Sequence, residues 1–406
     1  MFSVLRRSDQ RKKAETYVRG LLATEGRKSI RNIATLHGDA AAEQSLHHFI
    51  GSSTWDWQPM RKALARFMEQ AVPQHAWVVQ SLAITKAGTQ SVGVARQFVP
   101  DLGKVMNSQL TFGAWFASET VTAPVGWRMF LPGSWLDDAK QRARAEIPEG
   151  TGEATPLQCA IAAGLEPAQE WGVPVRPVVL DTEVSEPAVV VRSFAPAGVP
   201  VLMRVGERTR LVLADPALPG SGRGSLTARR ILDSVKGLAR PVEWTHPSTG
   251  GARRVSLAAA VPVRLAESGS GTQLPWRGRR GLLLGEWHDL RRGPSRIWLA
   301  DLPEDEATGG VSTSSTGSLL RLTKLAARVG HDAEQVGDRV GLRDFEGRSF
   351  PGWHRHMTLA SVAHTVATLE KGTEKVCGGV PPRGKPCGRD RRRPNNGALA
   401  GSCQGH

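Results

Sequence analysis

The sequence predicts an α/β protein in which a mixed-sheet core follows a helical N-terminal region and is interrupted by a β-rich insertion. Three observations carry this. Apolar residues recur at helical spacing over residues 1–75. Three apolar runs then follow one another between residues 76 and 131, as strands of a meander do. After a helix–strand alternation, residues 206–305 turn rich in Gly, Pro and Arg around short β-like runs.

In order along the chain, Ala14, Val18, Leu21 and Leu22 mark one helical face. Trp57, Met60, Leu64, Phe67 and Met68 mark a second, which Pro73 stops. Ala76–Ile84 reads as a buried strand, and Ser108–Ala117 and Pro124–Leu131 as its antiparallel partners. Residues 137–150 are charged. Ala154–Trp171 reads as a helix, Val175–Leu180 as a short buried strand ending at Asp181, and Val199–Val205 as a further strand after another helix. Thr209–Leu213, Ala239–Trp244, Leu282–Trp287 and Arg296–Leu302 supply the insertion's strands, which are expected to pack outside the core. Helix returns at Ser315. Met357–Leu369 reads as amphipathic, with Leu359, Val362, Ala363, Val366 and Leu369 on one face. The expected boundaries are therefore 1–75 (helical, basic), 76–205 (core, first part), 206–305 (insertion), 306–372 (core, C-terminal helices) and 373–406 (disordered basic tail).

Composition narrows the function. With 406 residues, 40% of them hydrophobic, and 12 Trp and 10 Phe, the chain has material for a large core and is not wholly disordered. No run of about 18 uncharged apolar residues exists, so no membrane span is expected. The first residues lack a signal-peptide pattern, and four cysteines make no disulfide framework, which points to the cytoplasm, at the nucleoid if DNA-bound. The net charge is +15. Residues 1–31 hold nine Lys/Arg against three Asp/Glu, and residues 373–406 hold seven against two. A polyanion such as DNA is the partner this implies, and Arg6, Arg7, Arg11, Lys12 and Lys13 are the N-terminal candidates for contacting it.

Two stretches carry a resemblance. One is Lys86-Ala87-Gly88-Thr89-Gln90-Ser91-Val92-Gly93-Val94-Ala95-Arg96-Gln97; the other runs from Asp344-Phe345-Glu346-Gly347-Arg348-Ser349 through Phe350-Pro351-Gly352-Trp353-His354-Arg355-His356. Gly126-Trp127-Arg128-Met129-Phe130-Leu131-Pro132 and Tyr17-Val18-Arg19-Gly20-Leu21-Leu22 fit the same pattern. Together, from about residue 10 to 370, they resemble the DDE transposases of bacterial insertion sequences, in the branch with a β-rich insertion before the final acid. The resemblance implies an RNase H-like mixed-sheet core and three carboxylates that hold two Mg²⁺ ions for phosphoryl transfer on DNA. Lys86 and Arg96 would flank that site as further phosphate contacts.

The acids themselves depart from the pattern. Where the family has Asp-Asp-Thr on the first strand, this chain has Gln80, Ser81 and Leu82, and no Asp or Glu lies between Glu69 and Asp101. Asp181 matches the second acid. Counting back from Asp344, the family's Arg, Glu and Lys fall on Ala326, Gly330 and Gly337, leaving Glu334, one turn beyond Gly330, as a possible displaced acid. Magnesium needs anionic oxygen, which an amide and a glycine do not replace. The expectation is a transposase-like DNA-binding protein, a pseudoenzyme with Asp181 as a remnant, no metal site and no cofactor. A domesticated regulator, or an enzyme acting on a small molecule in the same cleft, are the alternatives. His354 and His356, two residues apart, are expected to pack rather than ligate, and Cys377, Cys387, Cys403 and His406 lack a zinc spacing.

Overall fold

The computed structural model describes residues 1–36, 40–99, 102–218, 220–247, 251–266, 279–303 and 315–377. Most of the expected basic tail, from 378 onward, lies outside the described residues.

Four helices open the chain. α1 (Ser8–Ala23) buries Ala14, Tyr17, Val18 and Leu21, spaced three or four apart. α2 (Ile30–Thr35) starts where Ser29 Oγ accepts the Asn32 amide, and α3 (Ala40–His47) follows. α4 (Gln58–Ala71) buries Met60, Leu64, Ala65 and Met68, together with the Arg61 side chain.

The core sheet comes next. β1 (Ala76–Thr85), β2 (Ala95–Val99), β3 (Lys104–Ala117) and β4 (Thr122–Met129) precede the short helices α5 (Gly133–Leu136) and α6 (Ala139–Arg144). α7 (Pro156–Glu170) begins with a reciprocal Thr155–Gln158 cap and Pro156 in its first turn. β5 (Val178–Val184), α8 (Pro187–Phe194) and β6 (Val201–Val205) complete it. The spatial order β4-β3-β1-β5-β6 has β1, β5 and β6 parallel and β3 antiparallel to both its neighbours, which is the mixed α/β sheet the sequence predicts. β2, a partly polar strand that the apolar pattern does not mark, pairs with the start of β3.

The second half differs from expectation in one respect. β7 (Arg210–Leu213), β8 (Ser225–Thr227), α9 (Ala228–Val235), β9 (Arg240–Thr245), β10 (Arg253–Leu265), β11 (Arg279–Trp287) and β12 (Arg296–Pro303) do not form a layer outside the core. β12 pairs antiparallel with β6, Trp298 opposite Arg204, and the sheet runs on through β11 and β10, making twelve strands in one surface. Without β12 the β6 edge would present a row of unpaired peptide groups.

Two helices close the described residues. α10 (Thr316–Asp332) starts at a Ser315 cap and buries Leu319, Leu322, Leu325 and Val329. α11 (Phe350–Cys377) is not the one-faced helix the sequence suggests: from Gly352 to Ala367 nearly every residue is buried. Its polar residues find partners instead of solvent. Ser361 Oγ accepts the Trp127 indole N–H at 2.9 Å, and Arg355 donates to the carbonyls of Trp55 and Ile50. Side chains alternate across β1. Val79 meets α7 through the close approach at Gly164, while Gln80 faces α10 on the other side.

Candidate functional site

The site grows from that alternation. Gln80 sits halfway along β1, partly buried, with its Oε1 buried and, among the described residues, without a hydrogen-bond partner. A Cβ built on Gly330 of α10 would stand 3.2 Å from Gln80 Nε2, so these two positions, far apart in sequence, are in contact. β5 runs parallel beside β1 with Val79 opposite Leu180, which puts Asp181 one step on, alongside Gln80. The positions that the motif count assigns to the three acids thus lie on one side of β1, β5 and α10.

Their chemistry is not that of a metal cradle. A bulge between Leu180 and Glu183 turns Asp181 toward β6, where its Oδ1 accepts from Arg204 Nη1 at 3.4 Å. Burial pushes the Asp181 carboxyl above the usual carboxylate range, against the opposing charges of Arg204 and Arg296. Glu334 lies on the wider turn Ala333–Gly337 that ends α10 and is exposed. Ala326 is buried, and a Cβ at Gly337 would meet Leu342 Cδ1 at 2.6 Å. Two Mg²⁺ ions need anionic oxygen from several sides. One neutral amide, one glycine and one carboxylate held by an arginine do not fit that pair. Among the described residues no three His, Cys, Asp or Glu side chains gather as a metal site.

The other expected residues scatter. Lys86, at the end of β1, turns inward: its ammonium donates to the Phe345 carbonyl at 2.6 Å, and burial lowers its pKa to about 8. The Lys86 segment therefore touches the Asp344–Gly347 segment directly. The contact is reinforced by Arg343 donating to the Ala83 carbonyl, while the Lys28 amide, donating to Asp344 Oδ2, ties the second segment to the N-terminal helices. Arg96 is exposed on β2. Arg6, Arg7 and Lys12 are exposed at the chain start; Arg7 pairs with Asp9 at 3.0 Å, Lys13 lies 4.0 Å from the same carboxylate, and Arg11 donates to the Leu5 carbonyl. His354 and His356 are buried in packing contacts, as expected. His354 stacks on Trp57 at 4.6 Å and meets Arg61, while His356 bonds Tyr17 and the Gly341 carbonyl.

One feature escapes the sequence reading. Where α10 crosses the far half of the sheet, Lys324 binds the buried carboxylate of Glu286 on β11 and lies over the Trp244 ring, 4.2 Å from its centre. Ser256 Oγ joins them, donating to Glu286 Oε1 at 2.7 Å and accepting from the Trp244 indole at 2.9 Å. A cleft of about 260 Å³ opens beside this group between α10, the β9–β10 hairpin and the β3–β4 turn. Arg321, Lys324 and Arg328, spaced i, i+3, i+7, are the signal the sequence offers for it.

Comparison with solved structures finds, among others, a piggyBac transposase synaptic complex with hairpin DNA, at 10% identity and a TM-score of 0.41, covering 92% of this chain and 72% of that one. That likeness is too distant to bear on this chain. The curated proteins contain no match. The family described as DDE superfamily endonuclease matches residues 1–266, a stretch that includes β1, β5 and β6 and stops before α10. That covers well over half of the 406 residues, and the chain belongs to the DDE superfamily endonuclease family.

Proposed function

We propose that the chain is a transposase-type DNA-binding protein of the bacterial insertion-sequence branch that holds DNA without cutting or joining it. The observation that carries this reading is the contact between Gln80 and Gly330 beside Asp181. Two of the three positions that the motifs assign to metal-binding acids meet in space with no carboxylate between them. The third carries one negative charge, already engaged by Arg204. Phosphoryl transfer by paired metals depends on fixing both ions about 4 Å apart, and this donor set supplies too little charge to do so. The basic N-terminal region and the family's chemistry support DNA as the ligand.

The test is a nicking and strand-transfer assay on the element's own terminal sequences with Mg²⁺ or Mn²⁺, run beside a DNA-binding titration. Binding without nicking is expected, and the Gln80→Asp plus Gly330→Glu double substitution is the repair control. Robust nicking by the unmodified protein that is lost in Asp181→Ala would overturn the reading and turn attention to Glu334.

A further inference from the structure

The cleft beside α10 has its own charge balance. Arg253 is paired with Glu243 at 3.5 Å, and Lys324 with Glu286. Glu119 sits exposed at the β3–β4 turn. Arg321 and Arg328 also line the cleft, and among the described residues neither has an ion-pair partner. Among the described residues, two guanidinium groups without an ion pair therefore face one carboxylate without one. They stand two helical turns apart on the same side of α10, about 10 Å along its axis. The phosphates of one DNA strand are spaced around the duplex as well as along its axis, about 3.4 Å of rise per step, so two groups at that separation reach phosphates one or two steps apart. A small free anion would engage one of these groups; a phosphodiester chain engages both. Lys324 and Trp244 also line the cleft, and the buried Glu286 and Ser256 beneath them already bind both, so this part of the lining needs no ligand to order it.

We propose that this cleft is a DNA-backbone seat, with Arg321 and Arg328 each taking a phosphate of one strand. It rests on the DNA-binding reading above and places contacts on the side of α10 opposite Gly330, through residues that belong to neither the N-terminal basic group nor the Gln80–Asp181–Gly330 site. Arginine suits the role because its planar fork can take two oxygens of one phosphate.

Fluorescence anisotropy of a labelled duplex, titrated between about 50 and 200 mM salt, tests it. The Arg321→Ala plus Arg328→Ala variant is expected to bind about tenfold or more weakly and to lose about two units of the slope of log affinity against log salt. Arg321→Lys plus Arg328→Lys should keep the slope. Alanine is the better helix former, and both side chains point into the cleft, so the fold should hold; circular dichroism melts check this. Unchanged affinity and slope in the alanine variant, with the unmodified protein binding well, would overturn the seat and leave the DNA-binding reading standing. Weaker binding at an unchanged slope would also overturn it, because the loss would not come from phosphate contacts. No binding by the unmodified protein at about 50 mM salt would overturn the DNA-binding reading, and the seat with it.

Discussion

His356 should make the protein lose stability in mild acid by an amount the structure sets. The ring is fully buried, with Nδ1 2.9 Å from the Tyr17 hydroxyl and Nε2 2.9 Å from the Gly341 carbonyl. A carbonyl only accepts, so Nε2 carries the proton and Nδ1 accepts from Tyr17. Charging the ring would cost the buried site its solvation and turn Nδ1 into a second donor. Burial accordingly lowers the pKa to about 4, assisted by the Lys86 charge and opposed by the Gly341 bond. The unfolded chain, with histidine near 6.5, then binds the proton more readily, so stability is intact above about pH 6.5 and falls as pH drops toward 4. Integrating between those values, the loss from pH 7 to pH 5 is about 2 kcal/mol from this residue. Urea denaturation at the two pH values measures it. His356→Gln, whose amide can serve both partners, should lose about 2 kcal/mol less than the parent over that interval, whatever its starting stability. His354, also held neutral by burial, acts in both proteins and cancels in the comparison. If the glutamine variant loses as much as the parent, the ring titrates freely and the buried hydrogen-bonded assignment is wrong.

Gly330→Ala should raise stability by about 0.5–1 kcal/mol and the melting temperature by about 1–2 °C. It gains helix propensity inside α10, and the 3.2 Å contact falls on the mobile end of Gln80. A destabilised variant would mean that α10 is pressed against β1 with no room for a side chain. Asp181→Asn should stabilise the protein at neutral pH: with its carboxyl raised by burial, the stability this group contributes is lost as pH rises through its folded pKa, so the gain should shrink on acidification. A thermal-melt series against pH would show the opposite trend if Arg204 overcame the burial. Lys324→Met leaves Glu286 buried without its cation and should cost about 3–5 kcal/mol, with much of it recovered in the Lys324→Met plus Glu286→Gln double variant. Equal losses in the single and double variants, by denaturant titration, would show that the pair is not coupled.

What the sequence made legible is what local apolar pattern controls. β1, β3 and β4 were visible because runs such as Trp77-Val78-Val79 and Phe112 to Ala117 bury both faces or one face regularly. α7 was visible through its apolar period, and Thr155 and Pro156 mark its start. β10 was not, because Arg253, Arg254 and Pro262 read as loop while its neighbours β9 and β11 supply the pairing. The burial of α11 from Gly352 to Ala367 was hidden because His354, Arg355, Ser361 and His364 look like a solvent face until distant partners are known. In the site, counting from motifs picked out residues 80 and 330, which stand in contact. The arginine at Asp181 depended on a bulge in β5 and on the parallel register with β6, neither of which leaves a local sequence mark.

α10 ties the two halves of the molecule together, and its rotation is fixed from two sides. Seen down the axis at about 100° per residue, Arg321, Lys324 and Arg328 fall within an arc of about 60°, and Gly330 lies on the opposite side of the helix. One side is set by Lys324 on Glu286, the other by the close approach of Gly330 to Gln80. Glycine is what allows the second contact. A longer side chain at 330 must either displace the Gln80 amide or turn the helix, and turning it would pull Lys324 from a carboxylate that is buried from solvent. The glycine at 330 and the basic face at 321–328 are therefore linked mechanically: the rotation that brings Gly330 against Gln80 also turns Arg321 and Arg328 toward the cleft.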